Sequence, residues 1–497
     1  MKKILFAIAV LALLYPLVAW LMGVAIERRI AQFSDQGQSM LPQLRLIQRS
    51  QHGVLTSDED ASYEIGSTIK VTRHYHRGWF SSVDDATLEM SSAALDALTA
   101  LKPAAAISSN DGSEHRTFRL LLRSVIQHGP FCGSKCFALA GAETHARFTG
   151  PLQASLPMTI RSRFGFFGGG MTTVSSPAFD HMQIGQDVNL SWGGVEGTMH
   201  YGARQDWYDL AASVPSLRLE GAKGTLKIDG MSFDVHSKRL LRTLYGGDSR
   251  IEISRLIVSG MEKAQNLSIS NLLFATQNHA PDGFMNVGYQ MGMGEIVTQP
   301  LTLSSAHADL TWKHLGLDSL ESLVAAIREA GQQNTSVAPA VRAQTMMAAI
   351  RQPLEALLLN QPEMDIDRMS AATTQGQGLI TGVIRLVGAS AADFEAPAML
   401  LRKLDVRLDV AIDEAFLSSL PGAGANASTQ LQPMIDQGYI TRTNGTLRTQ
   451  ILFRGGQPSF NGKPFNPARK ISSLTVDFTA APTSYLYERK RPSQSTI

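Results

Sequence analysis

The sequence predicts a β-rich α+β protein in which an N-terminal transmembrane helix precedes one or more large curved antiparallel sheets, with a helical hairpin inserted. Three observations predict it. Residues Ile4 to Ile26 carry no charge over 23 positions. Strand-like alternation with an unusual slip recurs three times between Leu226 and Phe274. Between Leu315 and Pro362 the apolar period changes from two residues to that of a helix. The chain has 497 residues, 44% hydrophobic and 18% charged, with net charge +2. That length accommodates two or three folded units of roughly 150 residues each. The apolar content excludes disorder of the whole chain, and the balanced charge excludes a dedicated nucleic-acid binder.

At about 1.5 Å per residue the first segment reaches about 34 Å as a helix, against a hydrocarbon core of roughly 30 Å. A signal-peptide core is only about 7–15 residues long and ends in small residues. Here Trp20, Leu21 and Met22 are bulky, and Glu27, Arg28 and Arg29 follow at once. An uncleaved signal anchor is expected, within a unit spanning 1–29. The very short leading tail favours a cytoplasmic N-terminus with the remaining chain translocated.

Residues 30–310 are expected to form a β-rich domain. Leu226 and Ile228 are followed by Met231, Phe233 and Val235, Ile251 and Ile253 by Leu256 and Val258, and Leu267 and Ile269 by Leu272 and Phe274. Each set alternates with period two, then slips by three. A β-bulge absorbs such a slip and bends the strand, and Gly230 sits at the first one. The next unit, 311–362, is read as the helical hairpin. Leu320, Leu323, Val324 and Ile327 share one helical face, Asp318 and Glu321 have capping-box spacing, and Pro353 is expected to kink or restart the second helix. Residues 363–484 return to strands, with Leu404, Val406, Leu408 and Val410 in alternation and a short helix near Glu414 to Leu420. Leu474, Val476 and Phe478 are read as the final strand, and 485–497 as a disordered tail.

Chemistry-bearing patterns are few. His74 and His76 share a strand face, with Asp84 and Asp85 as the nearest further ligands, short of what a metal site needs. There is no H-E-x-x-H, no G-x-S-x-G elbow and no phosphate loop. Asp365 and Asp367 stand two apart, but a glycosidase pair is defined by spatial separation across a cleft. Cys132 and Cys136 are a candidate disulfide; a small local bridge and two unpaired thiols are the alternatives. The run Phe164 to Gly170 reads as a hairpin or loop with exposed aromatics, and contact with a membrane or partner is its functional alternative.

Y-H-R-G-W-F-S-S from Tyr75, Q-H-G-P-F from Gln127, and P-S-F-N-G-K-P near the C-terminus resemble the YdgA-like family of Gram-negative inner-membrane-anchored envelope proteins. The motifs, Tyr75, Arg77, Gly78, Trp79, Phe80, Ser81, Ser82, His128, Gly129, Pro130, Asn461 and Gly462, occur in the family's order. The resemblance implies a single-pass inner-membrane protein with its bulk in the periplasm. From the residues themselves, Tyr75 to Ser82 form a strand and turn in which Trp79 and Phe80 bury aromatic area, Ser81 and Ser82 satisfy the turn, and Arg77 pairs with Asp84 or Asp85, accepts backbone carbonyls as partners, or meets an anionic ligand.

The function expected is non-enzymatic and cofactor-free: an envelope scaffold or a binder of lipid or another hydrophobic ligand, held to the inner membrane through residues 4–26. A self-associating interaction module, and a hydrolase of envelope material, are the alternatives.

Overall fold

The computed structural model describes residues 16, 18–28, 44–53, 56–65, 69–90, 118–129, 138–149, 155–185, 188–221, 224–260, 266–299, 301–332, 339–421 and 427–465. Cys132, Cys136, Pro130, the strand expected at Leu474 to Phe478, the tail and most of the expected membrane segment lie outside them. Among the described residues no helix is long and apolar enough to cross a membrane. The first helix, α1, covers residues 18–28.

One antiparallel sheet of 26 strands runs through the rest. β1 (Leu44–His52), β2 (Ser57–Ile65), β3 (Ile69–Arg77), β4 (Ser81–Met90), β5 (Phe118–His128), β6 (Ala140–Thr149), β7 (Ser155–Phe164) and β8 (Gly170–Ser176) pair in chain order. β9 (Phe179–Gly185) and β10 (Val188–Trp192) form a side hairpin. β10 and β11 (Val195–Tyr201) lie end to end along β12 (Trp207–Gly221), and β11 also pairs with β8. β13 (Gly224–Arg239), β14 (Tyr245–Gly260) and β15 (Leu267–His279) follow. β16 (Phe284–Met293) and β17 (Ile296–Thr298) share β15 in the same end-to-end way, and β18 (Thr302–Leu303) pairs with β17.

β19 (Ser305–Gly316) pairs with β16, so the strand continues past the expected start of the helical insertion. The hairpin itself is α2 (Leu317–Gln332) and α3 (Pro339–Leu359), and α3 continues through Pro353 without restarting. The expected capping box is replaced by a tertiary contact. Glu321 Oε1 accepts hydrogen bonds from the Thr243 backbone N–H and hydroxyl, tying α2 to the loop after β13. β20 (Glu363–Ala372) pairs with β19, so the hairpin joins neighbouring strands. β21 (Gln377–Leu386), α4 (Pro397–Lys403), β22 (Leu404–Asp413), α5 (Glu414–Ser419), α6 (Ala427–Asp436), β23 (Thr441–Thr443), β24 (Thr446–Arg454), β25 (Gln457–Phe460) and β26 (Lys463–Pro464) follow among the described residues.

The recurrent slip is not a bulge. The register between β12, β13, β14 and β15 is the same on both sides of it: Val214 pairs with Met231 and Ser216 with Asp229, Met231 with Ile253 and Asp229 with Arg255, Ile253 with Leu272 and Arg255 with Ser270. Every strand carries its odd residue at one level. Pro215, Gly230, Ser254 and Asn271 therefore line up across the sheet, with the β10–β11 break at Gly194 and the β16–β17 break at Gly294 on either side. Gly194, Gly230 and Asn271, in alternate strands, have positive φ (90°, 62° and 50°). Such backbone favours Gly and Asn, which makes this row a crease shared by neighbours. Bulges occur elsewhere, as between Ile366 and Met369 in β20.

Candidate functional site

Directly paired residues of an antiparallel sheet point to the same face, so the register assigns one face from strand to strand. On β3 the face carries Ile69, Val71, Arg73, Tyr75 and Arg77, alternating with exposed residues. At the start of the sheet this face is polar and covered. Arg49, Glu59, Arg73 and Asp84 form an ion-pair ladder across β1–β4, at 3.1, 3.9 and 2.7 Å. Arg77 does not pair with Asp84 or Asp85. Its guanidinium reaches Glu27 of α1 at 2.6 Å and lies over the Trp20 ring. Glu27 also accepts from the Ser57 hydroxyl at 2.7 Å and the Gln51 amide at 2.7 Å. The expectation failed because Glu27 of α1, fifty residues earlier, supplies the counter-charge.

The two early motifs meet beneath this pair. The Tyr75 hydroxyl donates to Ser82 Oγ at 2.9 Å, and Ser82 Oγ lies 2.8 Å from His128 Nε2. All three are buried. Burial pushes the Tyr75 hydroxyl up to about 12. Burial also holds His128 below its usual range; a contact with the Trp79 backbone acts the other way, and the Arg77 charge assists. A neutral imidazole accepts from Ser82, which in turn accepts from Tyr75. Ser82 and His128 have the separation of a nucleophile and base, but both are sealed from solvent. Gly23 of α1 sits on the His128 ring: a Cβ there would lie 2.5 Å from Cε1, so only glycine allows the helix this close. Ile26, Tyr75, Ile126, Leu139 and Ala140 form the adjoining core, with Met22, Phe164 and Phe166 against it. The motif thus builds a seat for α1.

The remaining motif residues sit apart. Gly78 N–H donates to the Ser81 carbonyl at 2.9 Å and closes the β3–β4 turn, which leaves Trp79 and Phe80 42% and 49% exposed rather than buried. Gly129 N–H donates to the Leu139 carbonyl. Asn461 and Gly462, both with positive φ, make the two-residue β25–β26 turn. The Asn461 side chain ties that turn to Gln450 and to the Tyr439 carbonyl. His74 and His76 face Asp60 and Asp58 at 2.7 and 2.6 Å on the exposed side, and no group of residues suited to a metal ion occurs among the described residues. Asp365 and Asp367 are held by Lys313 and Thr311.

Farther along, the same face becomes apolar and open. One row of directly paired residues reads Ile160, Val174, Gly197, Ala212, Phe233, Ile251, Phe274, Met291, Ala308, Met369, Ile380 and Val410. At about 4.8 Å between strands these twelve positions extend over roughly 50 Å. Phe274, Met291 and Met369, with Tyr289 and Trp312 on the same face, are 37–42% exposed. At the far edge Phe416 of α5 packs over Gly378, and Tyr439, Phe460 and Phe465 form an aromatic cluster. A hollow of about 360 Å³ around Leu273, Gly292 and His307 belongs mainly to the opposite face. Alternation identified several of the row's members from sequence, but their exposure, and the role of Trp20, Gly23 and Glu27, carry no local signal.

The chain belongs to a bacterial family described as bacterial protein of unknown function (DUF945), whose family model matches residues 1–468. No curated protein and no solved structure matches it.

Proposed function

We propose that this is a membrane-anchored envelope protein, of the YdgA-like kind, that binds the acyl chains of lipids along the open apolar face of β7–β22. The row from Ile160 to Val410 carries the reading: across twelve adjacent strands every position at one level but Gly197 presents an apolar side chain, and its middle is exposed. Exposed apolar area of this extent on a protein marks a contact surface, and methionines among aromatics suit ligands of variable shape. Acyl chains fit a long track of apolar side chains. The uncharged Ile4–Ile26 segment supplies anchorage and proximity to lipid, with the body of the chain in the periplasm.

The test is uptake of a fluorescent long-chain fatty acid by the purified full-length chain, with mass spectrometry of co-purifying lipid. Met291→Glu and Met369→Glu place charges in the row at exposed positions and are expected to reduce uptake at least tenfold. Absence of bound lipid from the unaltered chain, or equal uptake by the variants, removes the reading. A dimer that dissociates in these variants, without lipid, indicates instead that the face joins two copies.

A further inference from the structure

Where the sheet meets α1, its turns end in exposed aromatic residues. Trp79 and Phe80 form the β3–β4 turn, and Phe80 O accepts the His128 N–H that underlies Gly23 of α1. Phe166 and Phe167 form the β7–β8 turn. Phe166 packs against the cluster that holds Ile26, whereas Phe167 points away and is 94% exposed. On α1 itself Ala19, Gly23 and Ile26 are buried while Val18 and Leu21 are exposed. Residues 18–26 thus belong both to the uncharged segment and to a helix seated on the sheet.

These observations lead to one geometric consequence, which rests on the membrane anchorage proposed above. A span that uses Ile4 to Ile26 brings its seated end, and the corner of the sheet under it, to the depth of the bilayer surface. We infer that the Trp79–Phe80 and Phe166–Phe167 turns form an interfacial foot, with Trp79, Phe80 and Phe167 lying in the headgroup region of the bilayer beside the Ile26 end of α1. Aromatic rings favour that layer because it is wet at one end and apolar at the other. The occupant is a lipid surface rather than a protein partner because the same corner carries the continuation of the apolar segment. The foot also fixes how the sheet stands: its first strands are membrane-proximal and the apolar row leads away from them.

Full-length chain in phosphatidylethanolamine–phosphatidylglycerol vesicles, with or without dibrominated phosphatidylcholine, tests this. Phe167→Trp adds an indole at a side chain that supports nothing else. Its emission, taken as the difference from the unaltered chain, is expected to fall at least twofold with brominated lipid. Leu401→Trp on α4, remote in strand order and also exposed, is expected to be unaffected. If the Phe167→Trp signal is unchanged while the chain resists alkaline carbonate, the foot is wrong and the anchorage stands. If carbonate releases the chain, the anchorage fails and the foot with it. Equal quenching at both positions indicates broad adsorption and also overturns the foot.

Discussion

Over β2–β5 the common face of the sheet carries Glu59, Arg73, Arg77, Asp84 and His128, and α1 closes part of it. Over β15–β20 that face carries Phe274, Tyr289, Met291, Trp312 and Met369 and is left partly open. The difference shows two uses of one surface. A buried polar cluster has directional demands, so it admits one partner in one orientation; an unpaired charge there is costly. An apolar track lacks such demands and accepts chains that slide and vary. The first region therefore suits permanent attachment of a segment of the same polypeptide, and the second suits exchangeable ligands.

The strongest way to break this contrast is at the seat. Arg77→Met strands Glu27 as a largely buried charge and is expected to destabilise the α1 junction by about 3–5 kcal/mol, with Glu27→Gln in the same chain restoring a large part. Denaturant unfolding and protease susceptibility of the N-terminal region read the effect, and a loss below about 1 kcal/mol denies the pair its role. Next is the crease, which crosses β12–β15 between the β10–β11 and β16–β17 breaks and leaves β2–β5 untouched. Gly230→Val puts a branched side chain at φ 62°, where the added Cβ would lie 2.5 Å from Ser254 Oγ. A loss of about 1–3 kcal/mol is expected, and a neutral result removes the crease as a constraint.

Acidity sharpens the contrast with a smaller effect. His128 has a folded-state pKa below its ordinary 6.5 because it is buried. The unfolded chain therefore binds the proton more readily. Its stabilising contribution is complete above about pH 6.5 and diminishes as the pH falls toward the lowered value. Unfolding measured at about pH 7.5 and about pH 5.5 is expected to show the seat weakening, with a flatter profile in His128→Gln; an unchanged profile refutes it. The smallest stability effect belongs to the open face. Met291→Ser, at a side chain 42% exposed, is expected to stay within about 0.5 kcal/mol while lowering fatty-acid uptake. A large destabilisation there means the residue is core, and the face is not a ligand track.

Much of the architecture was legible because strand patterning is local. The alternation at Leu404 to Val410 gave β22, and the 3.6-residue period from Leu320 gave α2. The slip at Gly230 was legible as an irregularity but not as a crease, since a single strand does not reveal that its neighbours slip at the same level. The seat was half legible. Tyr75, Arg77, Ser82 and His128 stood out as motif residues, whereas Glu27 looked like a flanking charge of the membrane segment and Phe80 like a buried ring.

By itself the sequence determined the β-rich class, the place of the helical pair and the uncharged N-terminal segment, because period and composition act over a few neighbouring residues. Only the tertiary structure decided that Glu27 answers Arg77, that the odd residues of neighbouring strands align, and that one stretch of apolar face stays uncovered. Those outcomes depend on which residues meet across tens to hundreds of positions in the chain, and on how much of each face other elements cover.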